Sequence, residues 1–145
     1  LSTSTTKAGA NTNRDININI ASSYINGKIL QPNEKFSFWD TVGKCTYDKG
    51  YKDATVYNNG KKTKGIGGGV CQVSTTVNMA VKSAGIKTNA RQHSLPVSYA
   101  SREDEATVSF GNIDFKFTNT TGKTIMLVMG AVDGSCTCEV WAKYE

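Results

Sequence analysis

One cysteine and the chain's one histidine have the types and spacing to do chemistry together. Cys71 closes a glycine-dense run, Gly65-Ile66-Gly67-Gly68-Gly69-Val70-Cys71, and His93 follows 22 residues later. A thiol at a helix start is pushed toward thiolate by the positive end of the helix dipole, and an imidazole is the usual base that completes such a nucleophile. The pair therefore reads as a candidate for acyl chemistry. An inert thiol and a structural histidine are the plainer alternative. The run is not a nucleotide cradle, because it lacks the Lys-Ser/Thr ending of a P-loop and the G-x-G-x-x-G spacing.

Two elements must position this pair. From Val70 onward the apolar residues Val70, Val73, Val77, Ala80, Val81 and Ala84 form one stripe at a 3.6-residue period, and Gly85 ends it as a C-cap would. Cys71 lies about 100° round from Val70, on the flank shared with Thr75, Asn78 and Lys82, which sets the thiol at the rim of the stripe. A helix of about 14 residues runs outward for roughly 21 Å, and a return strand over 86–93 covers a similar distance at about 3.3 Å per residue. His93 is expected to come back beside Cys71. The same helix-out, strand-back layout recurs in papain-like hydrolases and transferases.

Around this centre, residues 14–29 carry Ile16, Ile20, Tyr24 and Ile25 near helical spacing, with Asn13 as the N-cap. Pro32 and Asn33 break the pattern. A short strand is predicted over 35–38, a turn over 39–43 and a hairpin over 54–64 with Asn59-Gly60 at its tip. Strands are predicted over 106–110, 113–117, 124–129 and 136–144, with Phe115, Phe117, Trp141 and Tyr144 supplying the aromatic core. Helices in the first half and antiparallel strands in the second predict an α+β fold: an N-terminal helix and the Cys-bearing central helix packed on a mainly antiparallel sheet. Residues 1–145 read as a single domain, with an opening segment and helix (1–35), the core motifs (36–130) and a terminal strand (131–145).

Composition bounds what the domain can do. The 145 residues are 38% hydrophobic and 20% charged, which suits one globular core rather than a disordered chain. Seventeen basic against 12 acidic residues give a formal charge of +5 and favour anionic partners. Nucleic acid is disfavoured, because there are only three arginines and no recognised binding motif. Lys44, Lys49, Lys52, Lys61, Lys62 and Lys64 cluster before the glycine run, as a solvated face or as a contact for an anionic polymer such as a bacterial wall. No apolar run approaches the roughly 20 residues needed to span a bilayer. The chain opens at Leu1 with neither an initiator Met nor a signal peptide, so the expectation is an excised domain whose anchor lies upstream. Cys45, Cys71, Cys136 and Cys138 match no known disulfide or zinc spacing. Cys136 and Cys138 share one face of a strand, and either could pair with Cys45, leaving Cys71 free. No metal and no cofactor is expected.

Five strings carry a family resemblance: FSFWDTVG (36–43), KGY (49–51), GIGGGVCQVSTT (65–76), HSLPVSY (93–99) and ATVSFGNIDFKFTN (106–119). In order and spacing they resemble the VanW domain over roughly residues 1–130, and the opening STSTT and NRDININIASSYINGKILQPNEKFSF runs are similar to that family's first segment. The resemblance implies an extracytoplasmic setting near peptidoglycan. It also implies an activity, since some members are assigned as cysteine L,D-transpeptidases that form 3-3 cross-links between peptide stems. In that chemistry Cys71 is the nucleophile, His93 the base and acid, and the N–H groups around Gly68, Gly69 and Cys71 the oxyanion hole.

Asp114 is the first candidate to orient His93, Glu105 the second and a backbone carbonyl the third, although Asp114 equally suits a turn-bonding or solvent-facing role. Arg102 is a candidate to hold a substrate carboxylate, against the plain reading of an exposed loop arginine. Gln72, Ser74 and Ser94 are candidates to line the pocket. The expected partners are a donor tetrapeptide and an acceptor stem, with no nucleic acid and no direct membrane insertion by this segment. Two other functions fit the same residues. One is a thiol hydrolase (L,D-carboxypeptidase) with water as acceptor, and the other a non-catalytic wall-binding module that uses the lysine-rich segment.

Overall fold

In the computed structural model, which describes residues 1–8, 11–58, 61–93 and 97–143, the glycine run gives way to a helix at Val70. The elements in chain order are β1 (Ser2–Lys7), α1 (Thr12–Ile25), β2 (Lys28–Leu30), β3 (Lys35–Ser37), α2 (Phe38–Val42), β4 (Asp53–Asn58), β5 (Lys61–Ile66), α3 (Val70–Ser83), β6 (Lys116–Thr118), β7 (Ile125–Val132) and β8 (Ser135–Ala142). The fold is α+β. A four-stranded antiparallel sheet runs β1-β8-β7-β2, and two separate strand pairs, β3-β6 and β4-β5, flank it.

The sheet is built from its C-terminal hairpin. Asp133 and Gly134 both adopt positive φ (45° and 82°), the geometry of a two-residue turn whose twist matches that of the strands it joins. Alternation then sends Ile125, Leu127 and Met129 of β7, and Cys136, Cys138 and Val140 of β8, to one buried face. Helix α1 packs on β7, and α3 packs on β1 and β8. Phe36, Phe115 and Phe117 form a buried aromatic group with ring centroids 5.0–6.2 Å apart.

Several expectations need correcting. Helix α1 begins at Thr12 because Asn11, not Asn13, caps it, accepting the Arg14 N–H at 3.0 Å. The predicted turn over 39–43 lies within α2, which Ser37 caps and Gly43 ends at φ 75°. No strand forms over 86–93 or 106–110: Thr88 and Ser109 each make only an isolated bridge, to Phe117 and Ile113. Trp141 is 53% exposed on the outer side of β8, so it adds nothing to the aromatic core. Tyr144 and the hairpin tip Asn59-Gly60 lie outside the described residues. Strand β1, all Ser, Thr and Lys, lacks an apolar alternation and forms by pairing with β8.

The central helix is buried on more than its apolar stripe. Val73, Val77, Ala80 and Val81 are fully enclosed, and so are Gln72, Ser74, Thr75, Thr76 and Asn78. The segment after Ser101 lies along this polar flank. Ser74 Oγ donates to Ala106 O at 2.5 Å, Thr75 Oγ1 accepts the Ala106 N–H at 3.0 Å, and Asn78 Nδ2 donates to Asp104 O at 3.0 Å. Buried side-chain polar groups of one helix thus fix an otherwise irregular stretch of backbone. That stretch carries Glu105.

Candidate active site

Two glycines decide how the chain enters α3. Gly69 caps the helix at φ 104°, a left-handed conformation that side chains disfavour. A Cβ on Gly68 would lie 2.5 Å from the backbone carbon of Ala54 and 2.6 Å from Thr55 O, so the turn packs directly on β4. Val70 N–H donates to Gly67 O and Gln72 N–H to Gly69 O. Among the described residues, the N–H groups of Gly68, Gly69 and Cys71 make no such loop or cap backbone bond.

Cys71 is half-buried and His93 almost wholly buried, and both line one cleft of about 1070 Å³. The imidazole lies close enough to the thiol for each group to shift the other's ionisation. Cys71 Sγ also accepts the Val108 N–H at 3.5 Å and lies 3.8 Å from Thr107 Oγ1. On its other side His93 meets Glu105, whose carboxylate Oε1 accepts both Nδ1–H (2.7 Å) and the His93 backbone N–H (2.8 Å). With Nδ1 held by the carboxylate, Nε2 is the nitrogen left for the thiol. The Tyr99 hydroxyl lies 3.5 Å from that Nε2. Glu105 is only 2% exposed, and its second oxygen lies 3.4 Å from Arg102 Nη1.

Burial opposes ionisation at both reactive groups, and their partners outweigh it. Desolvation raises the Cys71 thiol, but the bond and charge of His93, with the Val108 N–H and Thr107 hydroxyl, bring it below the ordinary cysteine value. Desolvation lowers His93, but Cys71 and then Glu105 carry it above the ordinary histidine value. The two shifts favour a thiolate beside an imidazolium, the state in which a cysteine attacks carbonyl carbon.

The other predicted site residues divide. The carboxylate on His93 is Glu105, not Asp114. Asp114 instead accepts the Trp39 N–H at 3.0 Å and the Ser37 hydroxyl, which ties α2 to the segment before β6. Gln72 does not face the cleft. It is fully buried, donates to Thr6 Oγ1 and Gly134 O at 3.0 Å each and accepts from Arg14 Nη1 at 2.5 Å. Ser74 is likewise enclosed, holding the Glu105 segment. Arg102 turns to Glu105 and to Gln92 Oε1 and is not part of the cleft wall. Ser94 lies outside the described residues.

All four cysteines are free thiols. Cys45 sits against Gly67 in the cleft wall, whereas Cys136 and Cys138 are buried on the inner face of β8, so no disulfide joins them. Burial pushes the thiols of Cys45 and Cys136 up, and that of Cys138 up to about 12. Among the described residues no three His, Cys, Asp or Glu side chains gather to hold a metal, and no helix is long and apolar enough to cross a membrane.

A family model described as "VanW like protein" matches residues 13–141, which include the whole Cys71–His93–Glu105 arrangement. The chain belongs to the VanW family. It is 39% identical over 127 residues to a Bacillus subtilis (strain 168) protein named "Uncharacterized protein YoaR", an overlap of 87% of this chain and 42% of that protein. It is 30% identical over 142 residues to the "Vancomycin B-type resistance protein VanW" of Enterococcus faecalis (strain ATCC 700802 / V583), covering 92% of this chain and 46% of that one. The chain thus spans less than half the length of these VanW relatives. No solved structure is significantly similar to it.

Among the cleft residues that the sequence does not single out are Tyr99 and Arg14. Tyr99 stands in the HSLPVSY string six places after His93, where it reads only as part of a motif. Arg14 gives a sharper signal. It places a cation in the first turn of α1, against the helix dipole, a local conflict of the kind that functional sites tolerate.

Proposed function

We propose that this VanW-family domain is a peptidoglycan L,D-transpeptidase working through a Cys71 thioester, in an extracytoplasmic setting at the cell wall. The observation that carries this reading is the buried Glu105–His93–Cys71 chain opening on a cleft, since it holds an ionisable thiol, its proton acceptor and an orienting carboxylate in sequence.

Cys71 thiolate attacks the carbonyl between the third, diamino acid residue of a donor tetrapeptide and its terminal D-Ala. The C–N bond breaks as the thioester forms, and imidazolium Nε2 gives its proton to the departing D-Ala amine. The side-chain amine of an acceptor stem then attacks the thioester, His93 takes its proton, and the thiolate is regenerated with a 3-3 cross-link made. Glu105 orients His93 in both steps and stabilises it whenever it is the imidazolium, without reaching substrate. The N–H groups of Gly68, Gly69 and Cys71, which lack loop or cap backbone acceptors among the described residues, are the candidates to bind the developing oxyanion.

The test is incubation with purified disaccharide-tetrapeptide followed by mass spectrometry. A dimer lacking one D-Ala, absent with Cys71→Ala, is the expected product. Loss of D-Ala without dimer assigns hydrolysis instead. Absence of both products, with no thioester adduct on Cys71, leaves a wall-binding role.

A further inference from the structure

Among the described residues, the charged side chains that line the cleft beside Cys71 and His93 are Arg14, Lys44 and Arg91, with no Asp or Glu. Among the described residues, Arg14 is the one of these whose side chain makes a hydrogen bond. Its Nη1 donates to the fully buried amide of Gln72 at 2.5 Å, and its guanidinium carbon lies 5.5 Å over the Tyr99 ring, whose hydroxyl faces His93. Its stem touches the glycine turn, so that a Cβ on Gly69 would sit 2.7 Å from Arg14 Cγ. It makes no ion pair with any described carboxylate, and its other guanidinium N–H groups have no acceptor among the described residues. A half-buried guanidinium, fixed by packing and left with donors to spare, is built to receive a planar anion through two parallel bonds.

We infer that Arg14 is the specificity-determining residue of the site: it clamps the terminal carboxylate of the donor peptide and so selects a bond one residue from a free chain end. The placement suits this, because one extended residue spans only about 3.5 Å and Arg14 touches Gly69, two residues before Cys71. The conflict with the α1 dipole has the same explanation, since that cation serves a ligand and not the helix. The identity of the peptide rests on the acyl-transfer reading above, but the clamp can be tested without turnover.

The experiment is calorimetric titration of the Cys71→Ala protein with a tetrapeptide ending in a free carboxylate, and with the same peptide as its C-terminal amide. The carboxylate should bind about 10- to 100-fold more tightly. Adding Arg14→Gln should abolish that preference while leaving amide binding unchanged, and Arg14→Lys should retain a reduced preference. Equal binding of the two peptides, or no binding of either, overturns the inference before any change at Arg14. A preference undiminished in Arg14→Lys also overturns it, and this variant decides the matter should Arg14→Gln not fold. If the preference follows Arg14 but the Cys71 protein forms no thioester, the clamp stands and the transpeptidase reading fails.

Discussion

Replacing Glu105 by Gln isolates the electrostatic part of the candidate site. The two side chains have nearly the same shape, so the amide oxygen of the variant can still accept from His93 Nδ1 and from the His93 backbone N–H, at the 2.7 and 2.8 Å now seen. What disappears is the negative charge. A hydrogen bond to a charged partner contributes roughly 1.5–3 kcal/mol against about 0.5–1.5 for a neutral one, so the imidazolium loses on the order of 1.5 kcal/mol. A bare Coulomb term at 2.7 Å and an effective dielectric of about 20 gives roughly 6 kcal/mol. The smaller figure is the better guide, because Arg102 at 3.4 Å already offsets part of the carboxylate charge. About 1.4 kcal/mol is one pKa unit. Without the anion, neutral imidazole is favoured, His93 titrates lower, and the thiolate that depended on its cation titrates higher.

The assay is the rate of Cys71 alkylation by iodoacetamide between about pH 4 and 10, a range that spans the ordinary histidine and cysteine values, read by mass spectrometry of the labelled peptide. The unmodified protein should react at pH values below the ordinary cysteine value of 9.0. Glu105→Gln should move the midpoint up by roughly one unit and slow labelling about tenfold on the acid side of it. An unchanged profile in a folded Glu105→Gln protein refutes the argument that the carboxylate sets the pair's ionisation.

Other outcomes follow from the same geometry. Near neutral pH iodoacetamide should label Cys71 first, with Cys45 slow and Cys136 and Cys138 protected until the protein is unfolded, because burial raises the last three; peptide mapping of a time course checks the order. Asp114→Ala should cost about 1–3 kcal/mol of stability, through the lost anchors on Ser37 and Trp39, yet leave the Cys71 pH profile in place. A joint loss of both would return Asp114 to the reactive group. Gly68→Ala forces a methyl to within 2.6 Å of two backbone atoms of β4, so thermal melting should fall by roughly 10 °C, the effect of about 3 kcal/mol in a chain of this length.

The contact between Cys71 and His93 was legible because two strong local signals bounded it: a glycine run that could only start an element, and an apolar stripe whose length fixed how far the chain travels before returning. The return path was less so. Residues 86–93 come back without forming a strand, steered by single bonds such as Thr88 Oγ1 to Asn78 Oδ1 at 2.6 Å, and pairwise side-chain anchors of this kind leave no periodicity to read. The choice of orienting acid failed for a related reason. Asp114 was favoured because a strand was expected to hold it near the histidine, but its local chemistry is that of a cap, and the chain brings it to Ser37 instead. Glu105 reaches His93 because Ser74, expected to line the pocket, and Thr75 and Asn78, expected at the rim beside Cys71, are spent on binding its segment. A polar flank on a central helix has two uses, contact with water or capture of irregular backbone, and hydrophobic patterning scores them alike. Buried Gln72 makes the same point from the other side of α3, where it links Arg14 to Thr6 and Gly134. The polar residues beside Cys71 therefore act mainly as structural ties, and the groups that face the cleft come from distant segments of the chain that those ties hold in place.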